Sequence, residues 1–145
     1  MGVSVIEANN MGNTYQGGCF CGQIRYEAIG TPSHETTCHC AICRGTTGAA
    51  AVAWFSIPRD NFRFTSGEPT RFQSSRRGMR TFCGQCGTQI TFQSTEFPND
   101  IDVTICSLDD PEGVTPKDHT WVSSKVSWVR LADDLPRYRS SALGR

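Results

Sequence analysis

Seven of the eight cysteines in this 145-residue chain fall into three clusters with metal-ligand spacing. They are Cys19-Phe20-Cys21, Cys38-His39-Cys40-Ala41-Ile42-Cys43 and Cys83-Gly84-Gln85-Cys86. Thiolates held by one ion tie distant pieces of backbone to a common point. These clusters therefore constrain the fold more tightly than any hydrophobic stretch in the chain. Four thiolates close a tetrahedral zinc site, whereas three leave one position for water or substrate. Seven ligands divided into four and three predict one closed site and one open site.

The spacing within each cluster says which ligands go together. On a strand, residues i and i+2 face the same way, so Cys19 and Cys21 are expected to point at one ion while Phe20 points into apolar packing. Cys83 and Cys86 lie three positions apart on a glycine-rich turn. Gly84 and Gly87 give that turn its backbone freedom and let N–H groups approach the sulfurs. A redox pair has the same spacing but needs a helix starting at the motif. Here β-type residues flank it, Thr81-Phe82 before and Thr88 to Phe92 after. Joined to Cys19 and Cys21, this knuckle completes a structural four-thiolate site. Cys38, Cys40 and Cys43 wrap three corners of a second tetrahedron from one short loop, and this is the candidate catalytic cluster.

The fourth corner of that second site is open to several groups. His39, flanked by ligands on an extended segment, is expected to point away. His34 and His119 are the other histidines. Cys106 is the serious competitor, although its place in the run Asp102 to Cys106 reads as that of a buried apolar cysteine. Arg44, directly after Cys43, is the cation best placed in sequence to serve the site or to hold a substrate carboxylate. Arg80 and Lys125 stand behind it as further substrate-binding candidates.

Composition narrows the class. The formal net charge is zero. That balance, and the lack of aromatics interleaved with basic residues, count against a nucleic-acid partner. Two zinc ions on seven thiolates would make the metal-bound form mildly acidic. The opening residues lack a basic start followed by an apolar run, so they do not read as a secretory signal. Met1-Gly2 resembles a myristoylation start, but Ile6 stands where that motif wants Ser or Thr. No stretch is long and apolar enough to span a membrane. The chain is expected to be soluble and cytoplasmic, where clustered cysteines favour metal over disulfides.

The chain divides into a flexible N-terminus (1–14), one zinc domain (15–138) and a tail (139–145). The pattern predicts a mainly β fold with one or two short helices. Gln23 to Ala28 alternates polar and apolar, as a half-buried strand does. Ala50 to Pro58 reads as a buried strand. Asn61 to Phe64 and Arg71 to Ser74 read as a hairpin about Gly67-Glu68-Pro69. Thr88 to Gln93, Ile101 to Cys106, Trp121-Val122 and Val126 to Leu131 read as further strands. Helical turns are expected after Cys43 and around Arg59 to Phe62.

Taken in order, GGCFCGQIRYEA, CHCAICRGTTGA and FCGQCGTQI resemble the glutathione-dependent formaldehyde-activating enzymes. CSLDDP, HTWVSSKVSWV and DDLPRY resemble that family's C-terminal part. The resemblance runs from about Tyr15 to about Tyr138. It implies a β-tent-like fold of small antiparallel sheets around a structural zinc on Cys19, Cys21, Cys83 and Cys86. It also implies a substrate-facing zinc on Cys38, Cys40 and Cys43. The implied activity is the joining of glutathione to formaldehyde or a related small aldehyde, or the reverse cleavage of that carbon–sulfur bond. The alternative is a glutathione carrier or a zinc-stabilised protein-binding module without catalysis. Cys106 departs from the family pattern, which implies a small residue such as Gly at its position.

Overall fold

The computed structural model describes residues 12–142. Its strands are β1 (Asn13–Gly18), β2 (Arg25–Gly30), β3 (Ser33–Cys38), β4 (Val52–Pro58), β5 (Phe62–Ser66), β6 (Thr70–Gln73), β7 (Gly78–Phe82), β8 (Gln89–Ser94), β9 (Asp100–Thr104) and β10 (Asp118–Thr120). One α-helix, α1 (Ala41–Thr47), and several 3-10 turns complete the described residues. The fold is mainly β, as the sequence predicts. The N-terminal segment and the tail lie in part outside the described residues, and β1 begins inside the stretch read as N-terminal segment.

Strands β1, β2 and β5 form a three-stranded antiparallel sheet. The others form a seven-stranded sheet in the order β10-β3-β4-β9-β8-β7-β6, antiparallel except where β10 runs parallel to β3. The main core lies between the sheets. Tyr26 and Ala28 of β2 meet Phe55 and Ile57 of β4, Ile90 of β8 and Val103 of β9, all fully buried.

Strand β4 explains how the core positions the functional site. Alternate residues of a strand face opposite sides. Phe55 and Ile57 enter the core, while Val52 and Trp54 face the other way and pack with Cys38 and Cys43. Both faces are buried, so β4 reads as a nearly continuous apolar run, with Ser56 its one polar residue. Strand β8 achieves the same result with a bulge. Its pairing with β7 shifts between Thr81↔Thr91 and Phe82↔Gln89, leaving Ile90 as the extra residue. A bulge changes which face the following side chains take. Ile90 thus joins the core while Phe92 packs against the Cys38–Trp54 cluster.

Several expectations are corrected. β5 and β6 do not form a hairpin: β5 pairs with β2 and β6 with β7, so the chain changes sheets at Gly67. Gly67 has φ +74° and sits where an added Cβ would lie 2.2 Å from the Gln23 carbonyl oxygen. The glycine serves a crossing between sheets. Trp121-Val122 and Val126 to Leu131 are not strands. Trp121 has a left-handed φ of 57° and leads into a 3-10 turn, Val122–Ser124. Phe20 is 94% exposed, because it sits on the corner of a turn whose two cysteine sulfurs converge on Cys83 and Cys86. Cys106 is exposed on a 3-10 turn, Ile105–Ser107. The Ser107 hydroxyl donates to the Thr104 carbonyl at 2.9 Å and turns the chain out of the sheet there.

Candidate metal centres

The four-cysteine cluster joins two turns from different sheets. Cys19 and Cys21 lie on the β1–β2 connection, which closes with the Gly22 N–H donating to the Cys19 carbonyl at 3.1 Å. The sulfurs therefore converge from a turn rather than from a strand. Cys83 and Cys86 lie on the β7–β8 knuckle, closed by the Gly87 N–H on the Cys83 carbonyl at 2.8 Å. Sulfur–sulfur distances are 3.5 Å for Cys19–Cys21 and 3.7 Å for Cys21–Cys83. All four sulfurs lie within 4.8 Å of one another. A zinc tetrahedron with Zn–S of about 2.3 Å has edges of about 3.8 Å, so the donor set fits zinc without rearrangement. Backbone N–H groups of Ile24 and Cys86 donate to the Cys19 and Cys83 sulfurs at 3.2 and 3.4 Å. The Thr88 hydroxyl lies 3.3 Å from the Cys86 sulfur and, with other bonds, brings its thiol down to about 5. Hydrogen bonds that favour a thiolate favour a metal ligand.

The three-cysteine cluster is built where β3 ends and α1 begins. Cys38 closes β3, Cys40 caps the helix in an extended conformation, and Cys43 lies one turn inside it. The Cys43 N–H donates to the Cys40 sulfur at 3.3 Å, so one ligand is also the helix cap. Hydrogen bonds from Cys38 and Cys43 hold the Cys40 thiol down at about 2, and Arg80 favours its charged form further. The same sharing pushes the Cys38 thiol up. Three sulfurs within 4.8 Å of one another suit three corners of a zinc site. Among the described residues no further His, Cys, Asp or Glu joins this group. Cys106 therefore does not complete it.

One side of the cluster borders a cavity of about 530 Å³. The seven-stranded sheet supplies one wall through a row of register partners. Arg80 of β7 lies opposite Phe92, Phe92 opposite Asp102, and Asp102 opposite Ser56, with Trp54 two residues along β4. The Ser56 hydroxyl donates to Asp102 at 2.5 Å. The two non-glycine residues with left-handed φ among the described residues, His34 (50°) and Trp121 (57°), both line this cavity. Such backbone costs about 1–3 kcal/mol and concentrates at functional sites.

The three sequence-nominated cations occupy different places. Arg80 is 4% exposed and lines the cavity, with Nη2 at 3.6 Å from the Cys43 sulfur. Arg44 does not border the cavity. Its guanidinium donates to the carbonyls of His39, at 3.0 Å, and Ser124, tying α1 to the segment after β10. Lys125 Nζ donates to the Val126 and Val129 carbonyls at 3.2 and 2.5 Å.

His39 points away from the cluster into a buried chain. Its Nε2 lies 3.0 Å from Nδ1 of His119, whose Nε2 lies 3.0 Å from Asp133. Burial first, then the neighbouring His119, lowers the His39 pKa. The His119 bond lowers that of Asp133. Through this chain the C-terminal segment holds the ligand loop from behind. His119 was visible in sequence only as one of three histidines; nothing local links it to His39, 80 residues away.

Comparison with known proteins now gives this arrangement a context. The profile of the family described as glutathione-dependent formaldehyde-activating enzyme matches residues 14–124, which include all seven clustered cysteines. A protein of Schizosaccharomyces pombe described as an uncharacterized lyase is 31% identical over 85 residues, covering 59% of this chain and 61% of the relative. The matched part thus spans less than two thirds of that relative's length. A crystal structure of a Rhodobacter sphaeroides protein, a structural genomics target, superposes with a TM-score of 0.56 at 25% identity. That superposition covers 70% of this chain and 91% of the other. No helix among the described residues is long and apolar enough to cross a membrane. The chain belongs to the glutathione-dependent formaldehyde-activating enzyme family.

Proposed function

We propose that this protein is a zinc-dependent carbon–sulfur lyase acting on the adduct of a thiol, glutathione, with formaldehyde or a related small aldehyde. One observation carries the reading. A three-thiolate cluster borders a cavity of about 530 Å³, while the four-thiolate cluster elsewhere is complete. A closed site suits structure, and an open one suits chemistry.

Cys38, Cys40 and Cys43 would hold the second zinc. When bound, zinc supplies Lewis acidity that keeps a thiol in its thiolate form near neutral pH. The protein's own part is to shape the space beside it. Trp54 and Phe92 wall the cavity with apolar surface, and apolar walls strengthen the electrostatics of sulfur and carbonyl groups held beside them. Arg80 keeps a positive charge beside the cluster. In the forward direction the thiolate sulfur forms a bond to the aldehyde carbon. The carbonyl electron pair moves to oxygen, which takes up the proton the thiol released. In reverse the hydroxyl loses that proton and the carbon–sulfur bond breaks. Arg44, nominated by its place after Cys43, has its guanidinium engaged by carbonyls and serves in this reading to hold the loop.

Exchange NMR tests the proposal by comparing the interconversion of free and adduct glutathione with and without the protein. The zinc-loaded protein is expected to accelerate interconversion of free and adduct glutathione, and a folded Cys40→Ser variant is not. Glutathione binding with no acceleration by the wild type would favour a carrier and refute the lyase reading.

A further inference from the structure

Arg80 is a buried cation without a carboxylate. It is 4% exposed, on β7, and among the described residues no Asp or Glu lies within ion-pairing distance of it. Asp102, a carboxylate on the same sheet face, stands two strands away across Phe92, roughly 10 Å by strand spacing. The guanidinium is nevertheless firmly held. Its carbon lies 4.9 Å from the Phe92 ring centre and 5.7 Å from that of Trp54. Its Nε donates to the Ser74 hydroxyl at 2.9 Å, and its Nη2 lies 3.6 Å from the Cys43 sulfur. Its Nη1 is buried with no hydrogen-bond partner.

Leaving a guanidinium unpaired in the interior is costly, and so is leaving one of its donors unsatisfied. The negative charge that repays this is the thiolate cluster itself. Three thiolates around a divalent ion carry a net charge of minus one. That excess repels a further anion, and the thiolate of the proposed reaction is an anion. One guanidinium at the cluster brings the total to zero.

We infer that Arg80 is the counter-ion of the three-cysteine centre, and that it sets this centre to accept an anionic sulfur or oxygen donor as fourth ligand, with the spare Nη1–H available to that donor. The inference rests on the reading that Cys38, Cys40 and Cys43 hold a metal ion, and not on turnover. It makes Arg80 a residue that determines ligand charge. It also gives a reason for a buried arginine at the wall of a largely apolar cavity, since a neutral side chain of that length would fill the space equally well.

Cobalt replaces zinc as a coloured probe of the intact chain. The cobalt-loaded protein is titrated at about pH 8 with 2-mercaptoethanol, which binds a metal as its thiolate, and with imidazole, which binds as a neutral donor, and absorption gives each Kd. Arg80→Gln is expected to weaken thiolate binding by at least about tenfold, in line with the loss of other partners of metal ligands, and to leave imidazole binding within about twofold. Arg80→Lys, which keeps the charge, is expected to stay within a few-fold of wild type for both. Equal thiolate affinity in wild type and Arg80→Gln overturns the inference. So does equal weakening of both ligands, which marks a packing role only, and so does a loss in Arg80→Lys as large as in Arg80→Gln. Should Arg80→Gln not fold, Arg80→Met keeps the aliphatic volume between Trp54 and Phe92 and is read in the same way. Failure of the underlying reading looks different: the wild type then takes up no cobalt at Cys38, Cys40 and Cys43, or binds neither ligand.

Discussion

The four-cysteine site ties two sheets together across a long stretch of chain, and the stability it contributes follows from that length. Cys21 and Cys83 are 62 residues apart in sequence and 3.7 Å apart at sulfur. Cross-linking a loop of that length removes unfolded-state entropy equivalent to about 4 kcal/mol at room temperature. The same relation gives about 2 kcal/mol for the six-residue loop from Cys38 to Cys43. The double substitution Cys83→Ser/Cys86→Ser removes the β7–β8 half of the site and with it the cross-link. Against a typical domain stability of about 5–15 kcal/mol, the loss is a large fraction. For a chain of this size each kcal/mol moves the melting temperature by about 2–4 °C, so a drop of roughly 10–15 °C is expected. Circular dichroism melts of metal-loaded wild type and variant, with metal content measured on the same samples, provide the assay. Cys40→Ser, which disturbs only the short loop, should drop by half as much or less. A double variant that has lost one metal equivalent but melts within 2 °C of wild type would refute the cross-link argument.

Other substitutions probe the packing of β1 and the groups that hold the second site. Gly17→Ala would put a Cβ 2.4 Å from the Tyr26 hydroxyl and 2.5 Å from the Ser107 carbonyl. It should cost about 1–3 kcal/mol of stability by denaturant titration, and a neutral result would remove the close approach of β1 to the 3-10 turn at Ser107. Arg44→Ala should lower metal affinity at the three-cysteine centre roughly tenfold while thiol binding to the loaded protein stays unchanged. Lost thiol binding at unchanged metal affinity would instead return Arg44 to the substrate. His39 has a pKa held below its ordinary 6.5, first by burial. The folded chain therefore keeps it neutral while the unfolded chain takes up a proton as pH falls through 6.5. Its contribution is fully present above that pH and is lost toward the lowered folded value, with a slope of at most about 1.4 kcal/mol per pH unit. The melting-temperature gap between wild type and His39→Gln should shrink from pH 7.5 to 5.5, and a constant gap would contradict this.

What the sequence revealed depended on how local each signal was. Cysteine spacing is local chemistry, and the grouping into four and three reappears in the sulfur geometry. Strands β2, β4, β8 and β9 carried their own apolar patterns. The turn at Gly67 was legible as a bend, but a bend does not say whether its flanking strands pair, and these two belong to different sheets. Strand β3, Ser-His-Glu-Thr-Thr-Cys, has almost no apolar content: its buried side chains are Glu35, Thr36 and Cys38, and one edge pairs with β10. Sequence proximity favoured Arg44 as the cation of the second site. Register across β7 and β8 brings Arg80 to Cys43 from 37 residues away, a relation that exists only once the sheet forms. The His39–His119–Asp133 chain was hidden for the same reason.

Metal stoichiometry tests the central claim most directly. The wild type, reconstituted with zinc and freed of excess, is expected to hold two equivalents per chain, one for each cysteine cluster. Cys40→Ser, with an unchanged far-ultraviolet spectrum, is expected to hold one. An equal zinc content in the two proteins would show that Cys38, Cys40 and Cys43 do not form a metal centre, and the proposed chemistry would fall with it.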